Sequence, residues 1–162
     1  MRGGYGLQQK GRVKGPVCLN KRLTRREIIV RIKDRAAESV VKALDRIKRK
    51  YGPVLFRKIF QTITVDDGGE FANVNRLERS ALRKTLKRTK VYFCHPYSSY
   101  ERRSNECQNK MIRRPFPKGT DFGNVTDAGV AQAEPWMNNY PRKILGWKTS
   151  EMLFRECVAA LI

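Results

Sequence analysis

Along the chain, apolar runs typical of β-strands alternate with apolar residues at helical spacing, and this alternation limits the folds that the chain can adopt. Residues 17–23 and 26–32 are rich in β-branched and apolar side chains and flank a short basic turn, which predicts an antiparallel hairpin. Apolar residues then recur at three- and four-residue spacing from Ala37 to Tyr51, where Gly52-Pro53 ends the predicted helix. Strands alternating with helices in one unit indicate an α/β domain with a mixed sheet.

The alternation continues towards the C-terminus. The patterns predict strands at 59–65 and 90–94, and helices at about 77–86, 104–114, 126–139 and 149–161. Pro135 falls inside the third of these helices, where proline costs roughly 3 kcal/mol or forces a kink. We expect Trp136 and Trp147 to anchor the core of the C-terminal helices; the alternative is that they are platforms for stacking on bases.

The charge of the chain narrows the choice of partners. Against 35 Lys and Arg residues stand 15 Asp and Glu, a net charge of +20 on 162 residues, which favours a polyanionic partner such as nucleic acid. The sequence has no apolar run of the length that a membrane helix needs and no apolar segment of a signal peptide near residue 1. We therefore expect a cytoplasmic protein with reduced cysteines and no membrane partner.

The segment Thr62–Phe71 carries an acidic turn. Asp66 comes directly after a predicted buried strand, and Gly68 and Gly69 let the chain turn sharply. A carboxylate at the C-terminal end of such a strand points into the crevice where open α/β sheets bind ligands, and it is suited to a divalent metal. The alternative is that Asp-Asp-Gly-Gly is only a turn.

A second acidic position lies in the first turn of the predicted helix at 104–114. Glu106 would share one face of that helix with Asn109 and Arg113, which suits a metal-bound phosphodiester. The alternative is that Glu106 only complements the helix dipole.

Cations and aromatic side chains surround Glu106. Cations bind phosphates and rings stack on bases, which makes these residues candidates for nucleic-acid binding; the alternative is a solvated basic helix. The candidates are Tyr97, Tyr100, Arg102, Arg103, Lys110, Arg113 and Arg114.

Three segments together carry a resemblance to a known family. TITVDDGGEF, VYFCHPYSSYERRSNECQNKMIRRPFPKGTDF and NNYPRKILGWKTSEMLF resemble the catalytic core of bacterial transposases of the insertion-sequence-thirty family. That family is DDE-type and retroviral-integrase-like, which implies a ribonuclease-H-like mixed sheet flanked by helices. By the resemblance, Asp66 matches the second aspartate of the catalytic triad and Glu106 matches its glutamate.

The resemblance also implies a chemistry and its partners. Two Mg²⁺ ions held by the three carboxylates would flank the scissile phosphate, one activating the attacking oxygen and the other stabilising the leaving oxygen. The implied reactions are cleavage at the ends of an insertion element and strand transfer into target DNA. A homo-oligomer is expected, since pairing two element ends requires more than one active site.

The sequence departs from the family at the first triad aspartate. Alignment on Val17-Cys18-Leu19 puts Gly6 or a near neighbour at that position, and no acidic residue precedes Glu27. Residues 1–10 are also a poor central strand, because glycine and glutamine neither favour nor fill one. We therefore expect the first central strand to be missing or degenerate, and the third metal-binding carboxylate to be missing.

These expectations give two hypotheses for the function. In the first, residues 1–15 are a poorly ordered basic remnant and residues 16–162 are an integrase-like core with C-terminal helices, truncated at its N-terminus and impaired or inactive as an enzyme. In the second, the chain is a non-catalytic basic module that binds DNA or RNA.

Overall fold

The computed structural model describes residues 5–9 as backbone, and residues 16–34, 36–65, 68–79, 86–94, 110–121 and 124–161. Its five strands form one mixed sheet in the order β3-β2-β1-β4-β5. Strands β1, β2 and β3 pair antiparallel, whereas β4 runs parallel to both β1 and β5. The strands are β1 (Tyr5–Gln9), β2 (Pro16–Lys21), β3 (Glu27–Arg31), β4 (Thr62–Val65) and β5 (Lys90–Phe93).

The expectation that the first central strand is missing is wrong. Strand β1 lies at the centre of the sheet, where all five of its residues pair with β2 and two of them pair with β4. Backbone N–H and C=O groups make these ladders whatever the side chain, and a central strand has a partner on each side. Pairing on both sides therefore stabilises β1 as a strand, although its glycine and glutamine residues have low strand propensity.

The helices confirm most of the predicted pattern. They are α1 (Ala37–Tyr51), α2 (Pro53–Ile59), α3 (Val74–Glu78), α4 (Asp127–Asn139) and α5 (Ser150–Ala159), with short 3₁₀ turns at Gly69–Phe71 and Lys143–Leu145. The predicted hairpin, α1, α4 and α5 are confirmed. The strand predicted at 59–65 is confirmed over Thr62–Val65 as β4, and its first residue belongs to α2. The helix predicted at 77–86 is also wrong in part, since helix α3 ends at Glu78 and residues 86–89 are not helical.

Each face of the sheet packs against its own apolar layer. Val17, Leu19 and Ile63 face a core completed by α1, α2 and Phe154 of α5. On the opposite face, Cys18 and Ile29 pack against α4 and against the buried side chains of Ile112 and Phe116. The period-two alternation of strand side chains thus gives a three-layer α/β arrangement. In the part of the chain that the structure describes, no helix is long and apolar enough to span a bilayer.

Polar side chains from helices accept hydrogen bonds from three outward N–H groups of the two edge strands. On β3, the N–H of Glu27 donates to Asn138 Oδ1 at 2.9 Å and that of Ile29 donates to Glu134 Oε2 at 2.9 Å. Asn138 Nδ2 also donates to the carbonyl of Glu27 at 2.7 Å. On β5, the N–H of Val91 donates to Glu78 Oε1 at 2.9 Å. Because Glu134 and Asn138 are four residues apart, one face of α4 covers the β3 edge.

A buried arginine joins the hairpin to both C-terminal helices. Arg26 Nε donates to Glu151 Oε2 at 2.9 Å, and its guanidinium carbon lies 4.3 Å from the Phe154 ring centroid. Burial raises the pKa of the Glu151 carboxyl, but hydrogen bonds from Arg26 and Arg155 outweigh burial and hold that pKa below its usual value. The pair therefore stabilises the fold through the ionised form of Glu151.

Helix α4 runs through Pro135 without ending. Pro135 lies on an exposed part of the helix, where the carbonyl four residues earlier can bond to water in place of the missing N–H. Met137 and Asn138, which follow it, are buried and pin the last turn to the sheet.

The edge contact of Asn138 predicts a large loss of stability on truncation. Asn138→Ala would leave a buried N–H and a buried C=O of Glu27 without their partner, and we expect the free energy of unfolding to fall by about 2–4 kcal/mol. Chemical denaturation followed by circular dichroism measures this change. Asn139→Ala is the matched control on the exposed side of the same turn, and equal losses in the two variants would contradict the role of Asn138.

The Arg26–Glu151 pair predicts a pH-dependent contribution to stability. A depressed carboxyl pKa stabilises the fold above the unfolded value of about 4.3, and this contribution is lost as the pH falls through the folded value. We expect Glu151→Gln to lower the free energy of unfolding by about 1.5–3 kcal/mol near pH 7, and by progressively less as the pH falls below about 4.

Glu156→Gln is the control for this measurement, because Glu156 pairs with Lys148 at 3.5 Å on the exposed surface. An exposed pair contributes about 0–1 kcal/mol, so this variant should stay close to wild type at both pH values. A pH-independent loss in Glu151→Gln would show that the charge of Glu151 does not matter.

Candidate metal site and nucleic-acid surface

Three parallel strands, β1, β4 and β5, lie side by side and end at the same edge of the sheet. Gly6, the second residue of β1, pairs with Thr64 of β4, and the last residue of β4, Val65, pairs with Phe93 at the end of β5. The N–H of Cys94 donates to the carbonyl of Val65 at 2.8 Å and extends this pairing beyond the end of β5. This edge is where open α/β sheets bind ligands, and the chain reaches Asp66 immediately after it.

The turn after this edge is anchored by a phenylalanine. Phe71 is fully buried in the core, its N–H donates to the carbonyl of Gly68 at 2.9 Å, and that of Ala72 donates to the carbonyl of Gly69 at 3.2 Å. The aromatic residue at the end of the acidic turn thus fixes where the chain leaves the sheet.

Glu70 is a carboxylate in this turn that the sequence-based reasoning did not single out. A Cβ added at Gly68 would lie 2.7 Å from Glu70 Oε2, so the carboxylate of Glu70 folds back over the backbone of Gly68. A side chain at position 68 would displace that carboxylate. The signal available in the sequence was the glutamate of the resembled family's pattern Asp-Asn-Gly-x-Glu-Phe.

The predicted metal ligands Asp66 and Glu106, together with Asp67, lie outside the described residues. Among the residues that the structure does describe, no three His, Cys, Asp or Glu side chains come close enough to hold a metal ion. By the resemblance, Gly6 or a near neighbour stands at the third ligand position, and residues 5–9 are described only as backbone. That the third carboxylate is missing therefore stays a prediction.

Three of the seven predicted nucleic-acid-binding residues are described. Lys110, Arg113 and Arg114 are exposed, on a segment held to the sheet by the buried side chains of Ile112 and Phe116. The guanidinium carbon of Arg114 lies 5.4 Å from the ring centroid of Tyr140, at the end of α4. The others lie outside the described residues: Tyr97, Tyr100, Arg102 and Arg103.

The expectation that the tryptophans anchor the core is wrong. Trp136 is 43% exposed and Trp147 is 69% exposed. On α4, Val130, Ala133 and Met137 fill the positions that face the sheet, which leaves Trp136 on the outer side of the helix. Trp147 follows Gly146 in a loop and has a positive φ of 65°.

No family model matches the chain, but curated proteins do. The chain is 34% identical over 153 residues to the transposase for insertion sequence element IS4351 of Bacteroides fragilis, an alignment that covers 94% of this chain and 43% of that protein. It is 35% identical over 138 residues to the transposase InsI for insertion sequence element IS30A of Escherichia coli strain K12, covering 85% of this chain and 33% of that protein. The chain thus spans less than half the length of these curated relatives.

Solved structures agree in fold at low sequence identity. The catalytic core domain of BIV integrase matches with a TM-score of 0.70 and 14% identity, covering 96% of this chain and 95% of that one. A chain of the simian T-cell lymphotropic virus intasome in complex with the PP2A regulatory subunit B56 gamma matches with a TM-score of 0.68 and 12% identity, covering 92% and 52%.

The resemblance that the three sequence segments carry is confirmed by these relatives and structures. Over the length that it shares with them, the chain is a homologue of insertion-sequence transposases, including the IS30 transposase InsI, and has the ribonuclease-H-like fold of a retroviral integrase catalytic core.

Proposed function

We propose that this chain is the catalytic-core segment of a DNA transposase in which one of three metal-binding carboxylates has been lost. The observation that carries the proposal is the register of β1 on β4. Gly6 pairs with Thr64, two residues before Asp66, so the stretch of β1 that begins at Gly6 lies beside the end of β4 that leads into Asp66. The transposase relatives support the assignment of this region to catalysis.

Asp66 and Glu106 are the metal-binding residues of this proposal. Oxygen ligands of this kind suit Mg²⁺, which usually binds through one or two carboxylates together with water and phosphate. With only two of the expected carboxylates, we expect end cleavage and strand transfer to be weak or absent in the chain as it stands.

DNA binding does not depend on the missing carboxylate. The net charge of +20 and the exposed Lys110, Arg113 and Arg114 support a surface that neutralises phosphates. The partners are element ends and target DNA in the bacterial cytoplasm, with a homo-oligomer as the working form. The second candidate function, a non-catalytic DNA- or RNA-binding module, is favoured by the absence of a side chain at Gly6.

Restoring the carboxylate should restore metal-dependent activity. We expect Gly6→Asp to raise Mg²⁺-dependent nicking of supercoiled plasmid DNA at least about tenfold over wild type, since metal-site ligand shells commonly contribute factors of this size. Adding Glu106→Gln to Gly6→Asp should abolish the gain, because it removes one of the three carboxylates.

Gly4→Asp is the control, since it adds the same charge immediately before β1. If both aspartate variants remain as inactive as wild type while DNA still binds, the second candidate function is correct. A third outcome is that the wild-type chain already nicks DNA, that Glu106→Gln abolishes this activity, and that Gly6→Asp does not increase it. This outcome would show that position 6 supplies no ligand.

The exposed arginines should determine the salt dependence of DNA binding. We expect Arg113→Ala and Arg114→Ala each to lower the slope of log affinity against log salt by about 1, because each removes one phosphate contact. Fluorescence anisotropy of a labelled duplex between about 50 and about 200 mM NaCl measures the slope. Arg49→Ala, exposed on α1 across the sheet, is the control, and an equal effect there would place the binding face elsewhere.

A further inference from the structure

We infer that three exposed aromatic side chains at the end of α4 and in the loop after it form a surface that stacks on unpaired DNA bases. This aromatic patch consists of Trp136, Tyr140 and Trp147, which are 43%, 41% and 69% exposed. The inference rests on the proposed DNA-binding function but concerns a different part of the molecule from the carboxylate site.

Helix α4 presents two of these rings on one side. Trp136 and Tyr140 are four residues apart, with ring centroids 5.9 Å apart and planes tilted by 49°. Met137 and Asn138 between them are buried against the sheet, so the helix cannot rotate to cover the two rings. The rings therefore stay at the surface because the opposite side of the turn is pinned.

Backbone hydrogen bonds join the two ends of the loop that carries Trp147. The N–H of Arg142 donates to the carbonyl of Lys148 at 3.2 Å, and the N–H of Trp147 donates to the carbonyl of Arg142 at 3.0 Å. Arg142 Nη2 donates to the carbonyl of Met137 at 3.2 Å and so ties the loop to the last turn of α4. Trp147 adopts a φ of 65°, which bulky residues rarely do, and these bonds hold it there. A large apolar ring is thus held in an exposed position on a fixed loop.

Cations surround the patch, which argues for nucleic acid over protein as its partner. Arg114 lies over the Tyr140 ring at 5.4 Å, and Arg113 and Lys143 are exposed on the adjoining segments. Protein interfaces are enriched in aromatic residues and arginine, so the exposed lysine and the net charge of +20, rather than the arginines, favour nucleic acid here. Rings set among cations are the usual platform for single-stranded nucleic acid. Stacking on a ring requires an unstacked base, so the occupant is single-stranded DNA rather than intact duplex.

The patch and the carboxylate site lie beside different strands of the sheet. Asn138, next to the patch, bonds to Glu27 on the edge strand β3, whereas Asp66 follows β4. The register places Glu27 in one row with Gly6 and Thr64, so β2 and β1 lie between Glu27 and β4. Three strand spacings make this lateral separation about 14 Å. DNA bound at the carboxylate site could therefore place an unpaired flank on the patch.

Intrinsic fluorescence tests the inference directly, because the only two tryptophans of the chain, Trp136 and Trp147, are both in the patch. We expect an oligo-dT of about 20 nucleotides to quench the indole emission strongly and blunt duplex DNA to quench it far less. Trp147→Ala should weaken oligo-dT binding at least about fivefold in an anisotropy titration and leave duplex binding within about twofold of wild type.

Tyr92→Ala is the matched control. Tyr92 is 44% exposed on β5, and Lys90 lies 5.2 Å from its ring centroid, so it reproduces an exposed ring beside a cation outside the patch. An equal loss in Tyr92→Ala, or duplex binding without tryptophan quenching and without an effect of Trp147→Ala, would overturn the inference and leave the proposed function intact.

Two other outcomes of these measurements distinguish failure of the proposed function from failure of this inference alone. Absence of binding to any DNA would overturn the proposed function together with this inference. The chain could instead self-associate without DNA, in a concentration-dependent way that changes tryptophan emission and that Trp147→Ala abolishes. This outcome would show that the patch is an interface between copies of the chain, and it would overturn the inference alone.

Discussion

The backbone pairing of β1 holds the two halves of the sheet together. Without β1, β2 and β3 form one hairpin, β4 and β5 form a parallel pair, and no ladder joins them. The pairing uses N–H and C=O groups that every residue here carries, so it survives a glycine at position 6. Fold and chemistry separate at this residue, because the strand needs only its backbone whereas a metal site would need a side chain.

The sequence predicts best those elements that a pattern within their own residues defines. The β2–β3 hairpin and α1 were predicted because their patterns are regular and Gly52-Pro53 ends the helix clearly. The sequence pattern does not predict helix α2, because Pro53 ends α1 and also occupies the first turn of the next helix, where proline fits. Strand β1 was missed because strand propensity reports side-chain packing and not the number of partners a backbone finds.

The candidate site was predictable to a lesser extent. Asp66 and Glu106 came from motifs and a resemblance, and their place in a metal site stays a prediction. The exposure of Trp136 agrees with helical periodicity, because Val130, Ala133 and Met137 at three- and four-residue spacing fill the inner side of α4. The expectation of a core anchor is wrong because it considers the apolar ring without its position on the helix. The contact between Arg114 and Tyr140 joins segments that are separated along the chain, so only tertiary packing determines it.

The occupied edges of the sheet have a consequence for how copies of the chain can assemble. The outward N–H groups of Glu27 and Ile29 on one edge, and of Val91 on the other, already donate to side chains of the same molecule. A strand from another polypeptide would have to displace those side chains before it could extend the sheet. At these positions the sheet is closed to a further strand, which favours assembly through helix and loop surfaces and works against the edge-to-edge pairing that leads to fibrous aggregates.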